Sequence, residues 1–198
     1  LHNRIIDSSK ANTVLIHLWQ AHEYVRFASV LIQFLLAAKT SEQAKYIDWA
    51  CILVYDVEWP NEISLGYRIM IRAAQVRTLA LAGGKYRKIN DDLELLLSHA
   101  DIQEDAPAIL FAYVNVGLVN DHLPVEITIP RSFNLFRMIQ HSDTLKKEFS
   151  SDLLGNLPNA VWAQGVRVKN CEEIKLFIQY FSDLSEADMN LFVEAPFA

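Results

Sequence analysis

The chain has 198 residues, a formal net charge of −6 at pH 7 and a sequence pI near 5.5. This acidic balance argues against a surface that follows nucleic-acid phosphates, and the longest apolar run, at 30–38, contains Gln33 and is too short to span a bilayer. We therefore expect a cytoplasmic protein that binds neither nucleic acid nor a membrane. Only six glycines and six prolines occur, which favours an all-α fold with long helices.

The first 60 residues are predicted to be helical. Residues 1–19 read as a short helix and a second short segment, and 20–38 as a strongly apolar helix. Thr40 and Gln43 have the spacing of a capping box, in which two side chains satisfy backbone N–H groups at the start of a helix. A third helix is therefore expected to run from there to about Val57.

Residues 61–100 predict two helices joined by Gly83 and Gly84, because glycine takes the left-handed conformation that ends a helix without a Cβ penalty. Asn61 can cap the first helix, over 61–82, through its side-chain oxygen. This helix carries two apolar stripes on opposite faces. The stripes consist of Leu65, Ile69, Ala73, Val76 and Ala80, and of Ile63, Tyr67, Met70, Ala74 and Leu81. Two stripes require neighbours on both sides, so we expect an inner helix.

A polar strip of Arg68, Arg72 and Gln75 separates the two apolar stripes. The helix that follows the glycines has one ordinary stripe, as an outer helix would. That stripe consists of Tyr86, Ile89, Leu93, Leu96 and Leu97.

The sequence of the second half of the chain predicts further helices and one extended segment. Asp105 and Pro107 begin a helix that should reach about Val119. Residues 123–130 alternate apolar and polar between two prolines, and an isolated strand would have nothing to pair with, so we expect an extended connector packed on the core. Later helices are expected at 132–141, 144–153, 158–168, 172–181 and 186–194. Asn170 and Glu173 repeat the capping-box spacing before the helix at 172.

The predicted helices begin at 40, 61, 85 and 104, so corresponding starts recur after 45 and 43 residues. The run Leu-Ala-Leu-Ala-Gly-Gly-Lys-Tyr at 79–86, followed by Leu-Glu-Leu-Leu-Leu at 93–97, resembles the helix–Gly–Tyr–helix core of tetratricopeptide-like repeats. This resemblance implies a right-handed stack of antiparallel helix pairs that presents a concave surface to a protein or peptide. We expect a single repeat domain over 1–198. Because the chain begins without Met, we also expect it to be a segment of a longer protein.

Charge is segregated along the chain. Six basic residues and no acidic ones lie in 68–88, whereas 89–130 contains eight acidic residues and no Lys or Arg. We favour the interpretation that these blocks are solvated helix edges, or that neighbouring helices pair across the boundary. The alternative is a surface of two signs that steers a partner.

The usual catalytic motifs are missing. Gly83-Gly84-Lys85 has too few glycines for a phosphate loop, and no serine lies in a Gly-x-Ser-x-Gly elbow. Both cysteines, Cys51 and Cys171, lie in apolar helical contexts, which favours buried reduced thiols over a disulfide.

The best remaining polar cluster consists of His99, Asp101, Glu104 and Asp105. It could hold a divalent cation if Asp121 or His122 folded nearby. We favour a solvated loop followed by an acidic first helical turn.

We therefore expect a non-enzymatic scaffold or sensor arm of a larger signalling protein, with no cofactor, that binds a protein or peptide. Arg68, Arg72 and Gln75 are the candidate contact residues, if their strip lines the concave side. Replacing both arginines with Ala should then weaken binding and change stability by less than about 1 kcal/mol. One alternative is a metal-dependent helical enzyme with its site at His99, Asp101 and Asp105, and another is a structural or homo-oligomerisation segment.

Overall fold

The structure, a computed structural model, describes residues 8–45, 47, 58–118, 120–148 and 151–194. Every regular element in these ranges is a helix, which confirms the all-α prediction. None of the described helices has both the length and the apolar character needed to cross a bilayer. The helices, in chain order, are α1 (Ser8–Gln20), α2 (Tyr24–Leu36), α3 (Leu65–Ala82), α4 (Arg87–Ser98), α5 (Ala106–Tyr113), α6 (Val125–His141), α7 (Asp143–Glu148), α8 (Ser151–Val166), α9 (Cys171–Ser182) and α10 (Glu186–Glu194). Residues 41–45 are also helical, and a short π-helix, Val114–Leu118, continues α5.

Contacts between residues divide the chain into two compact units, Leu1–Ala100 and Asp101–Ala198, named the first and the second unit. The first unit contains α1 to α4 and the second contains α5 to α10. The stacked arrangement of tetratricopeptide-like pairs and the single repeat domain stay predictions.

Helix α3 has the predicted C-terminus but a later N-terminus. Its N-cap is Ser64, whose hydroxyl accepts a hydrogen bond from the backbone N–H of Tyr67 at 3.4 Å, so the helix begins at Leu65. Asn61 lies in a preceding turn and does not cap it. Gly83 ends the helix with a φ of +74°, as predicted, and the N–H of Gly84 bonds back to the Leu79 carbonyl at 2.8 Å.

Helix α3 packs against both α2 and α4. The prediction that both of its apolar faces are covered is confirmed, because nearly all of its central residues are buried. The buried residues are Ile69, Ile71, Arg72, Ala73, Ala74, Gln75, Val76, Thr78, Leu79 and Ala80. Helix α4 buries one stripe that includes Ile89 and Leu93, while Asp91 and Glu94 are exposed. The pair is thus an inner and an outer helix, as expected.

The first two helices differ from their predicted bounds. A turn at His22, which has a φ of +58°, separates α1 from α2, so the apolar helix covers Tyr24–Leu36 rather than 20–38. The capping signature after it is confirmed. The Gln43 N–H donates to the Thr40 hydroxyl at 3.2 Å, and the Gln43 side-chain oxygen accepts from the N–H of Lys39 at 2.8 Å.

The prediction of an extended connector over 123–130 is wrong. Pro124 is the N-cap of α6, and Pro130 lies inside that helix. A proline in a helix loses one hydrogen bond, but the helix buries Val125 and Ile129, which lie one turn apart on the same face. The alternation that suggested a strand also fits this helical spacing. Pro158 is likewise inside a helix, so the predicted break between 153 and 158 is replaced by continuous α8.

The second unit is built around an aromatic core. Helix α6 packs against α8 and α9, and rings from these three helices and from α10, which carries Phe192, meet there. The ring of Phe133 lies 5.4 Å from that of Phe177 and 6.3 Å from that of Phe192, measured between centroids. Trp162 lies 5.2 Å from Phe181 in the same way. Such ring pairs contribute beyond the area that they bury.

Candidate functional site

The predicted contact strip on α3 is largely inside the first unit. Only 5% of Arg72 and none of Gln75 is exposed to solvent. The Arg72 guanidinium donates to the Gln75 side-chain oxygen at 2.9 Å, lies 3.8 Å from the Asp92 carboxylate and stands 5.5 Å from the ring centre of Trp59. These contacts join α3 to α4 and to the segment before α3. Both side chains are therefore used within the fold, and a role of Arg72 and Gln75 as partner contacts stays a prediction.

Arg68 has a similar structural role. Its guanidinium donates to the carbonyls of Ile63, at 2.9 Å, and Pro60, at 3.2 Å, and so holds the turn that leads into α3. Removing it would change the start of the helix as well as any surface near it.

One ion pair in the first unit joins a residue of the basic block to a residue of the acidic block. Arg72 belongs to the basic block and Asp92 to the acidic one, and their ion pair fits the interpretation that neighbouring helices pair across the boundary. Arg77, also of the basic block, donates to the Ala38 carbonyl at 3.3 Å, and desolvation by burial lowers the pKa of its guanidinium. Both side chains therefore make their contacts inside the unit.

The polar cluster after α4 forms a turn. The Asp101 carboxylate accepts the N–H groups of Gln103, at 2.7 Å, and Glu104, at 3.2 Å, and the Asp105 carboxylate accepts the N–H of Asp101. His99 is the C-cap residue of α4. Within the part of the chain that the structure describes, no three His, Cys, Asp or Glu residues are arranged to hold a metal ion. A metal site at His99, Asp101 and Asp105 stays an alternative prediction.

A different surface feature appears in the second unit, where an open apolar groove lies between the end of α8 and the outer face of α9. Its cavity volume is about 260 Å³. The exposed fractions are 86% for Val166, 48% for Ile174 and 56% for Ile178. The groove is lined by Trp162, Gly165, Val166, Val168, Ile174, Phe177 and Ile178. Exposed aliphatic side chains next to one another are typical of interaction sites.

The floor of the groove depends on close contact between α8 and α9. A Cβ atom added to Gly165 would lie 2.9 Å from the Phe177 ring, so only glycine allows this approach. The Phe177 ring is in turn held against Phe133 and lies 5.8 Å from Trp162 between centroids. The floor is therefore part of the aromatic core.

One wall of the groove is held by Arg167, which lies between the lining residues Val166 and Val168. Its guanidinium donates to the Gln164 side-chain oxygen at 2.8 Å and to the Thr128 hydroxyl at 3.2 Å. It also donates to the backbone carbonyls of Asp121, at 3.0 Å, and Leu123, at 2.5 Å, and it lies 3.8 Å from the Asp121 carboxylate. These bonds fix the turn that follows α8.

The opposite side of the groove begins with a confirmed cap. The Asn170 side chain accepts the N–H groups of Glu172 and Glu173 at 3.0 Å, and the Glu173 carboxylate accepts the N–H of Lys169 at 2.6 Å. Cys171, the first residue of α9, is exposed, so the prediction of a buried thiol is wrong for this residue. Its position at the start of the helix leaves the side chain outside the core. Cys51 lies outside the described residues.

The sequence of α9 contains a signal for this groove that the predicted stripes do not use. Six of the eight residues in 174–181 are apolar, which is too many for a single stripe on a surface helix. The same criterion identified α3 as an inner helix. In α9, however, only the face that carries Phe177 is buried, and the face that carries Ile174 and Ile178 is exposed.

Every residue that lines the groove is apolar or glycine. Comparisons of the chain with protein-family models, with curated proteins and with solved structures gave no match.

Proposed function

We propose that this protein is a non-enzymatic scaffold that binds a segment of another protein, and that the apolar groove of the second unit is its contact surface. The observation that supports this is the exposure of Val166, Ile174 and Ile178 around an open, wholly apolar groove. Leaving such side chains in water forgoes roughly 1.5–3 kcal/mol for each side chain that could be buried in full. A partner that covers them would recover part of that free energy.

This proposal replaces the polar strip with the groove and keeps the predicted class of function. The resemblance to tetratricopeptide-like repeats supports it only in a general way, because those repeats serve as binding scaffolds. A role as a sensor arm within a larger signalling protein belongs to the same proposal. No cofactor is required by a surface that works through apolar contact.

A peptide selection tests the proposal without assuming the form of the bound segment. A random peptide library is selected on the wild-type protein and then screened against Ile178→Glu, which places a charge in the groove. Gln179→Glu is the matched control, since it adds the same charge to the neighbouring exposed residue of α9. We expect selected peptides to bind wild type and Gln179→Glu equally and Ile178→Glu at least tenfold more weakly. Peptides that bind all three proteins alike would contradict the proposal.

A further inference from the structure

The outer face of α9 has two parallel stripes. Ile174 and Ile178 lie four residues apart, so their side chains form one ridge along the helix. Glu172 and Lys175 form a second, polar stripe beside it and pair with each other at 2.8 Å. This arrangement of an exposed aliphatic ridge next to a depression is what a second helix packs against when ridges fit into grooves.

The backbone around the groove is already hydrogen-bonded. The N–H groups of Arg167 and Val168 bond to carbonyls in the last turn of α8, and those of Glu172 and Glu173 bond to the Asn170 side chain. No strand occurs in the part of the chain that the structure describes, so the second unit presents no sheet edge there. An extended peptide would therefore gain no strand-type backbone hydrogen bonds from this surface as it covered the groove. A helical segment carries its backbone bonds within itself.

The size of the groove indicates how much of a partner it can hold. Three partly exposed aliphatic side chains offer much less than the roughly 800 Å² that each protein contributes to a stable interface. This area is too small to hold two copies of the chain together on its own. A volume of about 260 Å³ instead suits a few aliphatic side chains from one face of a single helix.

We propose that the apolar groove receives one amphipathic helix of a partner protein, whose aliphatic side chains at i, i+3, i+4 and i+7 pack beside Ile174 and Ile178. This inference rests on the proposed function and specifies the form of the bound segment. The contact is made by the aliphatic ridge and the floor at Phe177.

The test uses a synthetic 18-residue peptide with leucines at i, i+3, i+4 and i+7 and Ala, Glu and Lys elsewhere. A control peptide has the same composition, with its leucines spread around the helix. We expect the first peptide to bind wild type with saturation, to gain helical circular dichroism when bound, and to bind at least tenfold more tightly than the control peptide. Ile178→Glu should reduce its affinity at least tenfold, and Gln179→Glu should leave it unchanged.

A second variant distinguishes a change in the groove from a loss of folding. Val166→Asp changes the most exposed groove residue, on α8, and should weaken the peptide in the same way while the far-ultraviolet spectrum of the protein stays the same. Equal binding of the two peptides, or equal effects of Ile178→Glu and Gln179→Glu, would overturn the inference.

The outcomes also separate this inference from the proposed function. If selected peptides bind through the groove without gaining helical structure, the scaffold proposal stands and the helix is the wrong occupant. If light scattering shows that wild type self-associates and Ile178→Glu does not, the occupant is a second copy of the chain, and the inference fails. If no peptide depends on Ile178, the inference and the proposed function fail together.

Discussion

Helix α3 of the first unit and helix α9 of the second are both apolar on two faces, but their surroundings differ. Helix α3 lies between α2 and α4, and its small residues, such as Ala73 and Ala74, allow close approach on both sides. Helix α9 buries Phe177 in the aromatic core and leaves Ile174 and Ile178, which line the same groove as Phe177, about half exposed. A helix with more apolar residues than one stripe needs is therefore not always an inner helix, and only the packing shows which of its residues are covered.

The largest effect is expected from substitutions that compare the two faces of α9. Phe177→Ala removes a buried ring that contacts Phe133 and Trp162, and should lower the free energy of unfolding by about 3–5 kcal/mol. Ile178→Ala, at the next residue, should change it by about 0.5 kcal/mol or less, because that side chain is half exposed. Urea denaturation of both variants measures the difference. Equal losses would mean that the outer face of α9 is also part of the core.

An intermediate effect is expected in the first unit. Arg72→Ala removes the hydrogen bond to Gln75 and the ion pair with Asp92, and should cost about 2–3 kcal/mol, since buried hydrogen bonds to charged groups are among the stronger ones. The sequence alone predicts a change of less than about 1 kcal/mol when both Arg68 and Arg72 are replaced, and the buried contacts of Arg72 raise that figure. Lys85→Ala removes the same charge from an exposed position in the turn after α3 and is the control. A loss for Arg72→Ala no larger than that for Lys85→Ala would show that the buried contacts contribute nothing.

The smallest effect concerns the contact between α8 and α9. Gly165→Ala adds a Cβ 2.9 Å from the Phe177 ring and should cost about 1–3 kcal/mol, because the ring must move within a packed core. Calorimetric melting should detect this as a lower Tm. Combining it with Phe177→Leu, which shortens the clashing side chain, should give a loss smaller than the sum of the single losses. Additive losses would indicate that the two residues do not determine each other's position.

The features that could be predicted from the sequence are those that depend on neighbouring residues. The left-handed Gly83 and the caps at Thr40 and Asn170 follow from local side-chain and backbone chemistry, and the structure contains all three. The errors at Pro130 and Pro158 arose because a proline disfavours a helix locally, whereas the buried face of the helix offsets that cost through distant contacts.

The candidate site was harder to predict, since it depends on contacts between distant residues. The burial of Arg72 depends on Asp92 and Trp59, which reach it from other parts of the first unit. The groove requires the outer face of α9 to stay uncovered, and no pattern within 171–182 determines that. Local signals thus predicted most of the helices and some of their ends, while the other ends and the exposed surface followed from packing.

The bonds of Arg167 have a consequence for any attempt to isolate the groove. This residue, which lies between the lining residues Val166 and Val168, binds the carbonyl of Asp121, 46 positions earlier in the chain. A fragment that contained only residues 151–182 would keep every residue that lines the groove and the Gln164 acceptor, but it would lose the acceptors at Thr128, Asp121 and Leu123. A piece of the protein that keeps every acceptor of Arg167 therefore has to include Asp121.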